Sequence, residues 1–343
     1  MKSHNDKELL FSLVFITLLA GLGGSYFERN PIHFSNTNDI NSAAAILATE
    51  QNLAPTITTR PVTLGFVGDI MLDRGIKASV IRNFGGDYNK MFTKSDFLKV
   101  PDITFANLEG PVSNKGTDQH NLYSFRMDPS IIPAIKNAGI DVVSFANNHV
   151  GDYGREAFED SLTRLHNAGI LTCGAGMNRT EAETPAIVSQ NNFSVGYLCF
   201  SDVGPDTMAV SNTQSGILLT SDPDFDSIIQ KASQKVSALI VSFHFGIEYQ
   251  TTHTVRQEDL ANRAINDGAA MIVGAHPHVP EDIGSLNGAP IFYSLGNFIF
   301  DQPFSKETMG GLFITAKIQN KTVSDIISHT IELNKNFVPS LVQ

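Results

Sequence analysis

The chain has 343 residues, 42% of them hydrophobic and 17% charged, which is a globular composition large enough for one big or two ordinary domains. Its formal net charge of -11 argues against a nucleic-acid partner held through a basic surface. It leaves room for a phosphorylated or carboxylated substrate, because a bound metal inverts the local field.

Residues 9 to 27 are 19 uncharged, mostly apolar residues. As a helix rising about 1.5 Å per residue they span about 28 Å, close to a bilayer core. Lys2 and Lys7 precede the stretch, so the N-terminus is expected on the cytoplasmic side. No Ala-x-Ala site is clear, so an uncleaved signal anchor is expected, with a cleaved signal peptide over 1–27 as the alternative. The protein then reads as single-pass in the cell membrane, with its main domain periplasmic or extracellular. Residues 28–60 are rich in Asn, Thr, Ser, Ala and Pro and read as a linker, with a short helix over 42–51. The main domain is expected over 61–335, with 336–343 a tail.

From Val62 the texture changes. Apolar strands are expected at 62–67, 102–106, 140–146, 170–173, 186–189, 193–200, 238–243, 269–273 and 290–295. Helical patterns cover 130–138, 155–168 and 255–267. Asn137-Ala138-Gly139, Asn167-Ala168-Gly169 and Asn266-Asp267-Gly268 each close a helix and open a strand, since glycine takes the left-handed cap without a Cβ penalty. Such joins mean βαβ units, hence an α/β fold with a largely parallel core. Residues 311–318 and 322–333 alternate as a closing hairpin. Cys173 and Cys199 each sit in an apolar run and read as buried free thiols, with a disulfide the alternative outside the cytoplasm.

Several of these strands end in a metal-ligand type of residue. Asp69 follows the first, and Asn107 and Glu109 the second. Asn148 and His149 follow the third, His244 a later one, and His276 and His278 the run 269–273. One such ending is an ordinary turn residue. Repeated on several strands, and with ligands binding beyond strand carboxyl ends in α/β sheets, they point to one site. Carboxylates, an amide oxygen and imidazoles suit Mn, Fe or Zn better than Ca. Asp152 and Glu248 are placed to orient ligating histidines. Asp73 reads as a turn or helix-start residue. Arg126 is a candidate contact for an anionic substrate.

Taken in order, Gly68-Asp69, Asn107-Leu108-Glu109-Gly110, Asn147-Asn148-His149, His244-Phe245-Gly246-Ile247-Glu248, Gly274-Ala275-His276-Pro277-His278 and Ser294-Leu295-Gly296-Asn297-Phe298 resemble the motifs of CapA-type proteins of bacterial capsule and poly-γ-glutamate synthesis. That family is similar to calcineurin-like metallophosphatases. The resemblance implies a four-layer αββα sandwich with a divalent-metal site at the sheet edge. It implies Asp69, Glu109, Asn148, His244, His276 and His278 as ligands of one or two ions, and His149 as proton donor. Asn107, Asn147, Glu248, Asn297 and Arg126 become supporting or substrate-contacting residues. The sequence departs from the phosphatase pattern at Asp69-Ile70-Met71, where those enzymes carry Asp-x-His. Methionine is a poor ligand for a hard ion, so a single ion is the expectation.

Three functions follow as expectations. The first is an anchored protein of capsule or poly-γ-glutamate biosynthesis or export, acting on an anionic envelope polymer or a phosphorylated intermediate. The second is a metal-dependent phosphoesterase or other envelope hydrolase. The third is a non-enzymatic subunit working with other capsule-synthesis membrane proteins.

Overall fold

A computed structural model describes residues 60–190 and 192–342. The expected anchor, most of the linker and the helix at 42–51 lie outside the described residues. Among the described residues no helix is long and apolar enough to cross a membrane.

Strands run in the order β1 (Val62–Ile70), β2 (Ile103–Leu108), β3 (Val142–Ser144), β4 (Leu171–Cys173), β5 (Ala175–Gly176), β6 (Ala186–Gln190), β7 (Phe193–Ser201), β8 (Gly216–Ile217), β9 (Ala238–His244), β10 (Ala269–Ala275), β11 (Ile283–Leu286), β12 (Ala289–Phe292), β13 (Asn297–Ile299), β14 (Gly310–Gln319), β15 (Thr322–Leu333) and β16 (Pro339–Leu341). Helices are α1 (Arg74–Phe84), α2 (Ile131–Ala138), α3 (Gly154–Asn167), α4 (Arg179–Ala182), α5 (Phe225–Ser233) and α6 (Val255–Asn266).

One sheet has the order β16-β15-β14-β1-β2-β3-β4, with β13 also pairing β1. A second has the order β11-β12-β10-β9-β7-β6. Both have parallel centres, β1-β2-β3-β4 and β12-β10-β9-β7. Antiparallel strands flank them. The central strands β9 and β10 are buried along their whole length, as a strand covered on both faces must be. Phe105 of β2 stacks on Tyr197 of β7, with centroids 5.4 Å apart, so the sheets meet face to face. Ile76, Ile131 and Leu162 of α1, α2 and α3 pack on the first sheet. Ile228 and Leu260 of α5 and α6 pack on the second with Val241 and Phe243. The expected four-layer αββα sandwich is what forms. The three Asn-x-Gly stops hold: Gly139, Gly169 and Gly268 have φ of 92, 70 and 109°.

Four local readings are corrected. Cys173 and Cys199 are bonded to each other, not free. Both are fully buried, and they face one another across the two sheets with Cα atoms 5.3 Å apart, a proximity that 26 residues of separation does not announce. The tail 336–343 carries β16, paired antiparallel to β15. The strand at 290–295 ends at Phe292, after which the chain changes sheets and Asn297 enters β13 beside β1. Helices α1 and α5 form over stretches that carry no helical pattern in the sequence reading, although Asp73 is one of its candidate helix starts. Their buried stripes are short: Ile76, Ser79 and Val80 in α1, and Phe225, Ile228, Ile229 and Ala232 in α5.

Candidate metal centre

The carboxyl ends of β1, β2 and β3 meet those of β9 and β10. Glycine makes the approach possible. A Cβ on Gly68 would lie 1.8 Å from Gly296 O, and one on Gly274 would lie 1.8 Å from Tyr293 O. The crossover from β12 to β13 therefore runs hard against both site strands.

Asp69, Glu109 and His244 each place one ligand atom within 4.8 Å of the others, and all three are buried. This group is able to hold a metal ion. The Asn107 amide nitrogen lies among them, 2.8 Å from Asp69 Oδ1, 3.4 Å from Glu109 Oε2 and 3.3 Å from His244 Nδ1. A partial positive charge thus stands where three acceptors converge. His244 Nε2 meets Asn148 Oδ1 at 2.9 Å. His276 N donates to Asp69 Oδ2 at 3.4 Å. His278 Nδ1 lies 3.2 Å from Asp69 Oδ2 and 3.0 Å from Asn297 Oδ1. The six residues expected to ligate are therefore in one place. Asn147 supports them by donating to Leu108 O at 2.9 Å.

Two buried atoms in this cluster have no hydrogen-bond partner, Glu109 Oε1 and His276 Nδ1. Each such atom costs about 1–3 kcal/mol unless something binds it. His276 and His278 also have φ of 102 and 60°, strain worth about 1–3 kcal/mol apiece at a non-glycine residue. Unpartnered buried polar atoms and strained backbone at two histidines fit a cation better than they fit an inert core.

Burial pushes the Glu109 carboxyl well above its usual range, with His278 pulling the other way and Asp69 adding to the rise. Burial, with His276 and His278 beside it, holds His244 well below the usual histidine value. Burial and His278 bring His276 down to about 4. Burial alone would lower His278 too, but Glu109 and Asp69 outweigh it and raise it to about 9. His244 and His276 are thus neutral at pH 7, the form that ligates.

His149 Nδ1 meets Asp152 Oδ2 at 2.8 Å, and its Nε2 lies 3.7 Å from Glu109 Oε1. Asp152 therefore orients this ring, the expected proton donor, rather than a ligating histidine. Asp73 starts α1, and its carboxylate accepts from Arg126 N at 2.9 Å. Glu248 lines a cavity of about 220 Å³ together with His149 and His278.

Arg126 does not reach that cavity. Its guanidinium donates to Lys115 O and Gly116 O and lies 4.2 Å from the Tyr153 ring. Its neighbour Phe125 faces the site instead, stacked on His149 at 3.9 Å. Arg74 is the arginine on the cavity wall, with Tyr123, Tyr249 and Asp301. Sequence reasoning missed these residues, since none of them belongs to a strand-end motif. Met71, at the position of the missing histidine, is fully buried in an apolar cluster with Phe125 and Phe300. Phe300 lies 4.5 Å from the His278 ring. The place of a second-ion ligand is therefore filled with apolar side chains.

The model of the bacterial capsule synthesis protein family PGA_cap matches residues 63–302. The capsule biosynthesis protein CapA of Bacillus anthracis is 32% identical over 71% of this chain and 61% of that protein. The PGA biosynthesis protein CapA of Bacillus subtilis is 31% identical over 71% of this chain and 65% of that protein. The chain thus matches less than two thirds of the length of these curated relatives. A solved calcineurin-like phosphoesterase of Bacillus subtilis is similar at 15% identity and a TM-score of 0.45, over 79% of this chain and 91% of that one.

Proposed function

The chain belongs to the bacterial capsule synthesis protein family, and on that premise we propose that it is an envelope protein, anchored by residues 9–27, that acts in synthesis or export of poly-γ-glutamate or a comparable anionic polymer. Its step uses a divalent-metal site for hydrolysis or transfer. The observation that carries this reading is the buried group Asp69, Glu109 and His244, with unpaired Glu109 Oε1 and His276 Nδ1 beside it.

Mn, Fe or Zn suits this mixture of carboxylate and imidazole. Asp69, Glu109 and His244 would hold the ion, with Asn148, His276 and His278 adjoining. When bound, such an ion polarises a substrate oxygen and acidifies water. His149 is the proton donor. Asp152 occupies its Nδ1, which leaves Nε2 on the Glu109 side to exchange a proton with a leaving group. Phe125 stacked on this imidazole limits water on that face.

The apolar cluster Met71, Phe125 and Phe300 favours a second reading, a subunit of a capsule-synthesis membrane complex that needs no reaction at this site. Elemental analysis of full-length protein, wild type beside His244→Ala/His276→Ala, tests the metal. Stoichiometric metal in the wild type and its loss in the variant are expected. A wild type still metal-free after Mn, Fe and Zn are offered overturns the site. Cells lacking the gene and complemented with the variant then separate the readings. Loss of surface polymer supports a working site, and full polymer supports the subunit.

A further inference from the structure

Strain marks two cavity residues outside the ligand set. Several of the described non-glycine residues at positive φ, such as Asn192, Asn287 and Asn320, sit in hairpin turns. Arg74 at 46° and Tyr249 at 66° instead line the cavity beside His278. Neither residue type favours that backbone, and such strain persists only where the surroundings impose it.

Arg74 is held from behind. Its Nε and Nη2 donate to Asp301 Oδ2 and Oδ1 at 3.2 and 2.5 Å, and Gly75 N donates to the same carboxylate at 2.9 Å. The guanidinium carbon lies 4.9 Å from the Phe125 ring. Among the described residues, Nη1 has no hydrogen-bond partner. Tyr249 is 45% exposed and stacks on His278 at 6.2 Å. Its hydroxyl accepts from Gln302 Nε2 at 3.3 Å. Gln302 Oε1 accepts from Asn297 Nδ2 at 3.0 Å, and Asn297 Oδ1 meets His278 Nδ1 at 3.0 Å. Two amides thus tie the phenol to the metal side of the cavity, and its own hydrogen is engaged by the Glu248 carboxylate.

We propose that Arg74 Nη1, in the cavity it lines with Tyr249 and His278, forms a subsite for a compact anionic group, a carboxylate or a phosphate, on the substrate whose reacting bond lies at the metal centre. This rests on reading that centre as the reacting site. The oriented fork suits a planar or tetrahedral oxyanion, and a charge-assisted bond from it is stronger than a neutral one. Glu248 on the same wall repels an anion and confines it to the Arg74 side. The cavity, at about 220 Å³, falls below the ~300–1,000 Å³ usual for drug-sized ligands. It takes one terminal unit rather than the middle of a chain. Tyr123 and Phe304, both more than half exposed on its wall, offer apolar cover for a methylene stem.

The test is calorimetric titration of full-length protein in detergent, with metal content measured on every sample. The probes are inorganic phosphate, γ-linked triglutamate and the same triglutamate with its carboxylates amidated. Wild type should bind at least one anionic probe and not the amidated one. Arg74→Ala should weaken that binding about ten-fold or more, with metal content unchanged. Arg74→Lys should recover part of it, and it serves as the test if the alanine variant melts early. The preferred probe identifies the source of the anion. Absence of binding by wild type, or wild-type affinity in Arg74→Ala, overturns the subsite. Arg74-dependent binding by a protein that holds no metal keeps the subsite and overturns the metal reading.

Discussion

Glu281 stands just beyond His278, nearly buried, with one carboxylate oxygen unpartnered. Its other oxygen accepts from Gln257 Nε2 at 2.6 Å. Burial, helped by Asp282, pushes this acid up to about 7 against the pull of the Gln257 bond. An acid raised in the native state keeps its proton longer there than in the unfolded chain. Between the ordinary carboxylate value and about 7 the folded protein therefore binds more protons, and stability falls as pH rises through that window. Glu281→Gln removes the dependence. Melting temperatures from about pH 4 to about pH 8 should fall more steeply for wild type than for the variant, and the curves should approach each other at the acid end. Parallel curves would show that Glu281 is not the cause. At this scale the convergence of Asp69, Glu109 and His244 was legible in the sequence, because each follows an apolar run. Arg126 is a candidate in the sequence on the donor geometry of its guanidinium alone. The cavity arginine, Arg74, is recognisable only through Asp301, 227 residues away.

Among the elements, the parallel units were readable because Gly139, Gly169 and Gly268 mark where helices stop. Helix α1 was not readable. It begins Arg-Gly-Ile, and Asp73 makes no side-chain cap bond. Its formation depends on Ile76 and Val80 finding the first sheet, a tertiary effect that outweighs weak local preference. The pairing of Cys173 with Cys199 was hidden for a similar reason, since β4 and β7 belong to different sheets. For the 26-residue separation, loop-closure entropy gives the bridge about 3.5 kcal/mol of stability. Cys173→Ser/Cys199→Ser should lower the free energy of unfolding by about that much, and reductant should do the same to wild type alone. Equal denaturation midpoints in wild type, with and without reductant, would deny the bridge any stabilising part.

At the scale of the molecule, residues 59–343 form a compact unit of their own, and both sheets and both large core clusters lie inside it. A fragment from Arg60 onward should melt in one cooperative transition. A fragment without a cooperative melt would mean that the preceding residues contribute to the core. The two-sheet architecture was legible through the resemblance that six motifs in order carry, whereas the change of sheet between β12 and β13 was not, because residues 290–295 look like an uninterrupted strand.

The candidate metal group is divided: Asp69 and Glu109 hang from one sheet, and His244, with His276 beside it, from the other. An ion seated among them would act as a rivet through the seam, while Cys173–Cys199 is a covalent pin in the same seam. Chelation draws the rivet and leaves the pin. The seam is then free to gape about the pinned edge without the fold coming apart. Amide hydrogen exchange should quicken at Leu108 and Ala275 when metal is removed, while Leu198 beside the pin keeps its protection.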